Sequence, residues 1–207
     1  MQYLVFLAAG AFLVGAFVYV KSMLNGRVKP NRVSWLLWAI APMIAFAAAV
    51  SNGAGLAAIP VLMAGLTPLL IFVASFTVKG AHWKLAKLDY ACGLLSILAI
   101  VLWAVTSDPN IAIVFAISSD ALASVPTLKK GWQYPETESA WPYLLGVFGG
   151  YTSFLAITAW TFSQYAYPAY LVVISILLFF SIYYKRILAR LRASTRNCDS
   201  ARTISVT

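Results

Sequence analysis

Charge is what this sequence has least of. Charged residues make up 10% of its 207 residues, where a soluble globular domain carries roughly 25%. It has one His and two Cys. That excludes a disulfide-stapled scaffold and a His/Cys metal cluster. No glycine-rich phosphate loop and no catalytic dyad is present, so neither a cofactor nor an enzymatic activity is expected. What fills the chain is apolar: 62% hydrophobic, with a mean hydropathy of +0.84. A net charge of +9 invites a nucleic-acid reading. The positive residues instead flank long apolar runs, with no soluble domain to present them, so no nucleic-acid partner is expected.

The apolar runs predict seven membrane-spanning helices, at about 2–20, 33–51, 57–78, 88–107, 109–128, 140–161 and 165–184. Each is long enough to cross a hydrocarbon core of roughly 30 Å as a helix. Helix is the default over strand because backbone polar groups in lipid must be satisfied within the segment. Ser107-Asp108 alone separates the fourth and fifth runs. One continuous helix is the competing reading, but it is too long for a single crossing, and Asp108-Pro109 supplies a break with Pro109 in a first turn. The first run lacks a basic n-region and is expected to be a mature helix rather than a signal peptide.

All 15 Lys and Arg residues fall on one expected side. Lys21, Arg27, Lys29 and Arg32 lie in the first loop of that side. Lys79, Lys84 and Lys87 lie in the second, and Lys129 and Lys130 in the third. The tail holds Lys185, Arg186, Arg190, Arg192, Arg196 and Arg202. By the positive-inside rule this predicts an integral plasma-membrane protein, in bacterial terms an inner-membrane protein. The N-terminus is expected outside and the C-terminus in the cytoplasm. The basic tail is expected to meet anionic membrane lipids, helical to about Arg192 and irregular beyond.

A spaced pattern recurs. Gly26, Pro30 and Ser34 return 105 residues later as Gly131, Pro135 and Ser139. This offset maps spans one to three onto five to seven with the same orientation and leaves span four as a linker. The expected organisation is 1–78 as a first three-helix bundle and 79–107 as inner loop plus linker helix. A second three-helix bundle covers 108–184, and 185–207 is a basic cytoplasmic tail. The fold class is therefore an all-α polytopic membrane protein in a 3+1+3 arrangement. Two similar parallel bundles facing each other leave a central gap that rocking exposes to either side.

Asp120 is the one acidic residue well inside a span, next to Ser118, Ser119 and Ser124. An ionisable group there is costly to expose to lipid and is expected to face the bundle interior. It is the candidate for proton coupling. A static hydrogen bond or a salt bridge to Lys21 is the alternative. Trp38 and its repeat counterpart Tyr143, with Ser34, Ser139, Asn52 and Gln164, are candidate substrate or gate residues. Trp35, Trp83 and Trp132 are expected to anchor the membrane edge. Pro30, Pro42, Pro60, Pro68, Pro126, Pro135 and Pro168 are hinge candidates, because an interior proline removes a helix hydrogen bond. Of these, Pro126 is expected near the end of the fifth helix.

In topology, the chain resembles the SWEET and PQ-loop transporter superfamily. Asp120, Pro126-Thr127, Lys130, Pro135 and Glu138-Ser139 resemble a PQ-loop segment. Pro30 through Ser34-Trp35 and Trp38 resemble the stretch after the Pro-Gln dipeptide. The dipeptide itself is absent from both copies, with Thr127 in place of Gln. The third and seventh spans lack the Asn of sugar-carrying relatives, which points away from a sugar. The resemblance implies a small-solute transporter working by alternating access, with a polar or amino-acid-like substrate; its relatives include proton-coupled amino-acid exporters, and Asp120 as a proton acceptor and a facilitative uniporter are the two options for coupling. The alternative within the same fold is a non-transporting membrane receptor, sorting or structural protein. A retinal protein is disfavoured, since 165–184 contain no Lys.

Overall fold

The computed structural model describes residues 3–78, 83–106 and 108–204. Side chains at 99, 100, 102–104, 106 and 185–204 lie outside the described set. Lys79, His82 and Ser107, the side chain of Trp103 and the basic side chains of the tail therefore fall outside the description. Among the described residues the chain is all helical, with seven α-helices and no strand. They are α1 (Leu4–Leu24), α2 (Arg32–Ser51), α3 (Ile59–Ala74), α4 (Lys87–Thr106), α5 (Pro109–Gln133), α6 (Trp141–Ala156) and α7 (Phe162–Ile204). Five segments are long and apolar enough to cross a membrane: Leu4–Leu24, Arg32–Ser51, Gly55–Ala74, Pro109–Gln133 and Phe162–Tyr184. The sixth expected span is shorter than predicted. At 16 residues, α6 reaches only roughly 24 Å. The α7 backbone stays helical to Ile204, where the sequence suggested an end near Arg192.

Local chemistry explains the helix ends. Asp108 accepts hydrogen bonds from the Asn110 and Ile111 amides and caps α5, with Pro109 as its first residue. The expected break between spans four and five is therefore present. Asn31 caps α2 in the same way, through the Val33 and Ser34 amides. Gly26, at φ 69°, terminates α1 in a left-handed conformation that only glycine adopts without strain. Its repeat counterpart Gly131 lies inside α5 instead, packed against Ser181 and Ile182 of α7. Outward faces carry exposed large apolar residues, such as Phe17, Leu70, Leu95, Val114, Phe148 and Phe180. That is the expected surface of a helix set against lipid, since water would expel so much apolar area.

The helices form a ring of neighbours in the order α1, α3, α2, α5, α7, α6 and back to α1. Helix α4 sits outside this ring, against α5 and α2. Shifting α1 by 105 residues brings Leu4 onto Pro109, the first residue of α5. The same shift brings Ser51 at the end of α2 onto Ala156 at the end of α6. The pattern in the three-residue motif is looser than the helix spacing. Ser34 lies within α2, whereas Ser139 precedes α6.

Two proline expectations are corrected. Pro60 is the second residue of α3 rather than an interior one, and a first-turn proline removes no intrahelical bond. Pro126 is not near a helix end, because α5 runs on to Gln133. Pro42, Pro68 and Pro168 lie inside α2, α3 and α7. Pro30 is in the α1–α2 loop, and Pro135 opens a 3-10 turn before α6.

Candidate functional site

The six ring helices leave a cavity of about 70 Å³ between them. Each contributes to its wall: Phe12 from α1, Trp38 from α2, Thr67 from α3, Asp120 from α5, Tyr143 from α6 and Tyr167 from α7. Among the described residues, Asp120 is the only Asp, Glu, Lys or Arg in that lining. It is 5% exposed, so its orientation into the interior is as the sequence predicts.

Two tyrosines of α7 hold the carboxylate. Tyr170 donates its hydroxyl to Oδ2 at 2.6 Å, and Tyr167 donates to Oδ1 at 3.2 Å. Their three-residue spacing places both hydroxyls on one helix face. No basic side chain pairs with Asp120 among the described residues. Lys21, the cation considered as its partner, is exposed in the last turn of α1. A buried carboxylate held by hydroxyls alone has spare acceptor capacity and no charge to balance it.

One turn further along α5, the polar network continues. Ser124 donates to the Asp120 carbonyl at 2.8 Å and accepts from Trp38 Nε1 at 3.1 Å. Ser34 donates to the Ala123 carbonyl at 2.7 Å and accepts from Thr127 Oγ1 at 3.1 Å. Ser34 and Trp38 are thus the seam between α2 and α5. Trp38 and Tyr143 meet edge to face with ring centroids 6.0 Å apart. Trp35, expected at the membrane edge, is buried at 2% exposure. Its ring packs 4.8 Å from Tyr19 and 5.2 Å from Trp38. The Tyr143 hydroxyl is buried and without a hydrogen-bond partner among the described residues, whereas Trp35 Nε1 is directed to the Tyr19 hydroxyl. Tyr143 and Trp35 both line the cavity. An unpaired buried polar atom costs about 1–3 kcal/mol, so the Tyr143 hydroxyl is where a polar guest would gain a bond.

A second buried carboxylate lies beyond, past the end of α5. Glu138 Oε1 pairs with Lys130 Nζ at 2.6 Å, and both side chains are buried. Tyr19 donates to Glu138 Oε2 at 2.9 Å. Lys130 also donates to the Lys29 carbonyl and lies 4.9 Å from the centre of the Trp83 ring. Backbone bonds tie the same place together: Lys29 N to Thr137 O at 3.0 Å, and Trp83 N to Pro30 O at 3.0 Å. This knot joins three loops and α1. The sequence places Lys130 and Glu138 together only within the PQ-loop-like segment, and nothing in it predicts that they pair. The knot's one sequence signal is an acid among basic loop residues.

The remaining candidates disperse. Asn52 is exposed at the end of α2. Gln164 is buried but closes the α6–α7 connection, its Oε1 accepting from the Thr158 and Ala159 amides at 3.3 and 3.4 Å. Ser139 lines a separate groove with Val18, Arg27 and Glu136. Asp89, at the start of α4, accepts from Asn31 Nδ2 and from the Ala86 amide, which joins α4 to the start of α2. Trp132 is exposed and stacks on Tyr184, consistent with an edge position. Compared with protein-family models, with curated proteins and with solved structures, the chain matches none.

Proposed function

We propose that this protein is a small-solute membrane transporter that works by alternating access and couples solute movement to protons through Asp120. In this reading α1–α3 and α5–α7 are two parallel three-helix bundles and α4 is the linker. The N-terminus is outside and the basic tail lies in the cytoplasm of a plasma membrane. The reading keeps the resemblance to SWEET and PQ-loop transporters. Its substrate is a small polar or amino-acid-like molecule, and its other partners are membrane lipids and protons.

One observation carries it. A buried carboxylate with no basic partner among the described residues lines a cavity to which all six ring helices contribute. Supporting it, the ring order is unchanged when α1, α2 and α3 are exchanged for α5, α6 and α7. That is the symmetry expected of two bundles around a central axis. Trp38 and Tyr143, equivalent in the repeat, touch beside the cavity and serve as its gate toward the Lys130 end. The prolines inside α2, α3, α5 and α7 give backbone points where such a gate can flex.

The test is uptake into proteoliposomes holding the purified chain, screened over small polar solutes with and without a proton gradient. Gradient-stimulated flux in wild type that disappears in Asp120→Asn supports the reading. Equal stimulation in both removes the coupling role. Partner binding without flux of any solute favours a non-transporting receptor.

A further inference from the structure

We propose that the central cavity takes a small organic cation, which replaces a proton on Asp120. This rests on the reading of that cavity as the solute site and names the solute's charge.

Among the described residues the cavity offers one acid, no base and aromatic walls. Trp35, Trp38, Tyr143 and Tyr167 all line it. Aromatic faces attract cations, most strongly where water is excluded. An anion here would meet Asp120 with no positive group to offset it. A neutral solute would leave the carboxylate as an uncompensated buried charge. A proton and a cation each remove that charge, and they compete because both act on the same two oxygens. The groups around Asp120 do not alter this balance. Tyr167 and Tyr170 face it from α7, and α2 presents Trp38 and Ser34 to α5. Helix α4 presents Ser96 and turns Asp89 toward Asn31, while Tyr143 enters from α6. None of these carries positive charge.

Size and hydrogen bonding narrow the class. A cavity of about 70 Å³ is roughly half of one that holds benzene, which suits a guest of about three or four heavy atoms. The unpaired Tyr143 hydroxyl can accept from an ammonium or guanidinium N–H and can donate to an oxygen on the guest. The full guest is therefore a cationic head with an oxygen close behind it, as in an amino alcohol. Exchange of one such cation for one proton moves no net charge, so a pH gradient drives it and a membrane potential does not.

Guanidinium and urea provide the probe pair. Guanidinium is always charged, weakly hydrated and stacks on aromatic faces; urea has nearly the same shape and no charge. Their binding to the full chain in lipid nanodiscs is read by calorimetry at millimolar ligand, with acetate as the anionic control. The expected result is guanidinium binding at least 30-fold tighter than urea or acetate, and weakening as pH falls. These wild-type comparisons decide the proposal even if a variant fails to fold. In Asp120→Asn, guanidinium drops to the level of urea. Ethanolamine binds about 3–10-fold tighter than propylamine, a margin expected of one hydrogen bond, and Tyr143→Phe narrows it. Urea binding as tightly as guanidinium, or guanidinium binding unaffected by pH, overturns the proposal. Guanidinium bound at Asp120 but not moved across proteoliposomes sinks the transport reading and leaves the site standing. Flux of neutral or anionic solutes with no guanidinium binding does the reverse.

Discussion

Three carboxylates are buried among the described residues, Asp89, Asp120 and Glu138, and the last two sit under opposite conditions. Glu138 has a lysine at 2.6 Å and a tyrosine hydroxyl at 2.9 Å. Asp120 has two tyrosine hydroxyls and a cavity. In the first the charge is balanced: a cation sits on one oxygen and a hydroxyl donor on the other. Such a group has little to gain from a proton or a ligand, and its work is to hold Tyr19, Lys29 and Trp83 together. The second has donors that orient it but nothing that balances it. The difference teaches that burial alone does not mark a working residue. A missing counter-charge beside empty space does.

The largest effect that sharpens this comparison is expected at the paired site. Lys130→Met strands Glu138 as a buried charge, and breaking such a pair costs about 3–5 kcal/mol. Lys130→Met with Glu138→Met recovers most of that loss, since no lone charge remains. Thermal unfolding of both variants in detergent checks this, and equal losses in the two would break the account of the knot. The cavity side responds less. Tyr170→Phe removes the shorter donor to Asp120 and costs about 1–3 kcal/mol, read in the same unfolding assay. Ser34→Ala loses its bond to the Ala123 carbonyl and its link to Thr127. It is expected to cost about 1 kcal/mol, and a larger loss would mean the α2–α5 seam carries more than these bonds. Asn52→Ala is expected to stay within about 0.5 kcal/mol, as an exposed position without a specific contact, and to leave any flux unchanged.

How far these two sites were legible in the sequence follows from the kind of signal each leaves. Asp120 stands out because a lone acid inside an apolar run has few explanations. The helices are legible for a similar reason, and Asp108-Pro109 marks a break by local chemistry alone. Glu138 leaves no such trace. It lies eight residues from Lys130, beyond the end of a helix and across a 3-10 turn, and no regular spacing announces a pair across a turn. Trp35 was read as an edge anchor because its sequence position is near a helix start. Its burial comes from Tyr19 on another helix, which periodicity cannot supply. Gln164 looked like a solute ligand for its polarity, but its amide is used by the loop beside it. Gly131 matched Gly26 in spacing, yet α5 continues through it where α1 stops. The 105-residue offset holds at the starts of α1 and α5 and at the ends of α2 and α6, but not for single residues such as Gly26 and Gly131.

The comparison itself can be measured in one assay. Wild type, Asp120→Asn and the Lys130→Met/Glu138→Met double variant are reconstituted at equal amounts, and proton-gradient-driven solute flux is followed in each. The account predicts that Asp120→Asn abolishes the gradient response while the double variant keeps it. Loss of the response in the double variant with its retention in Asp120→Asn would contradict the account, placing the working carboxylate at Glu138.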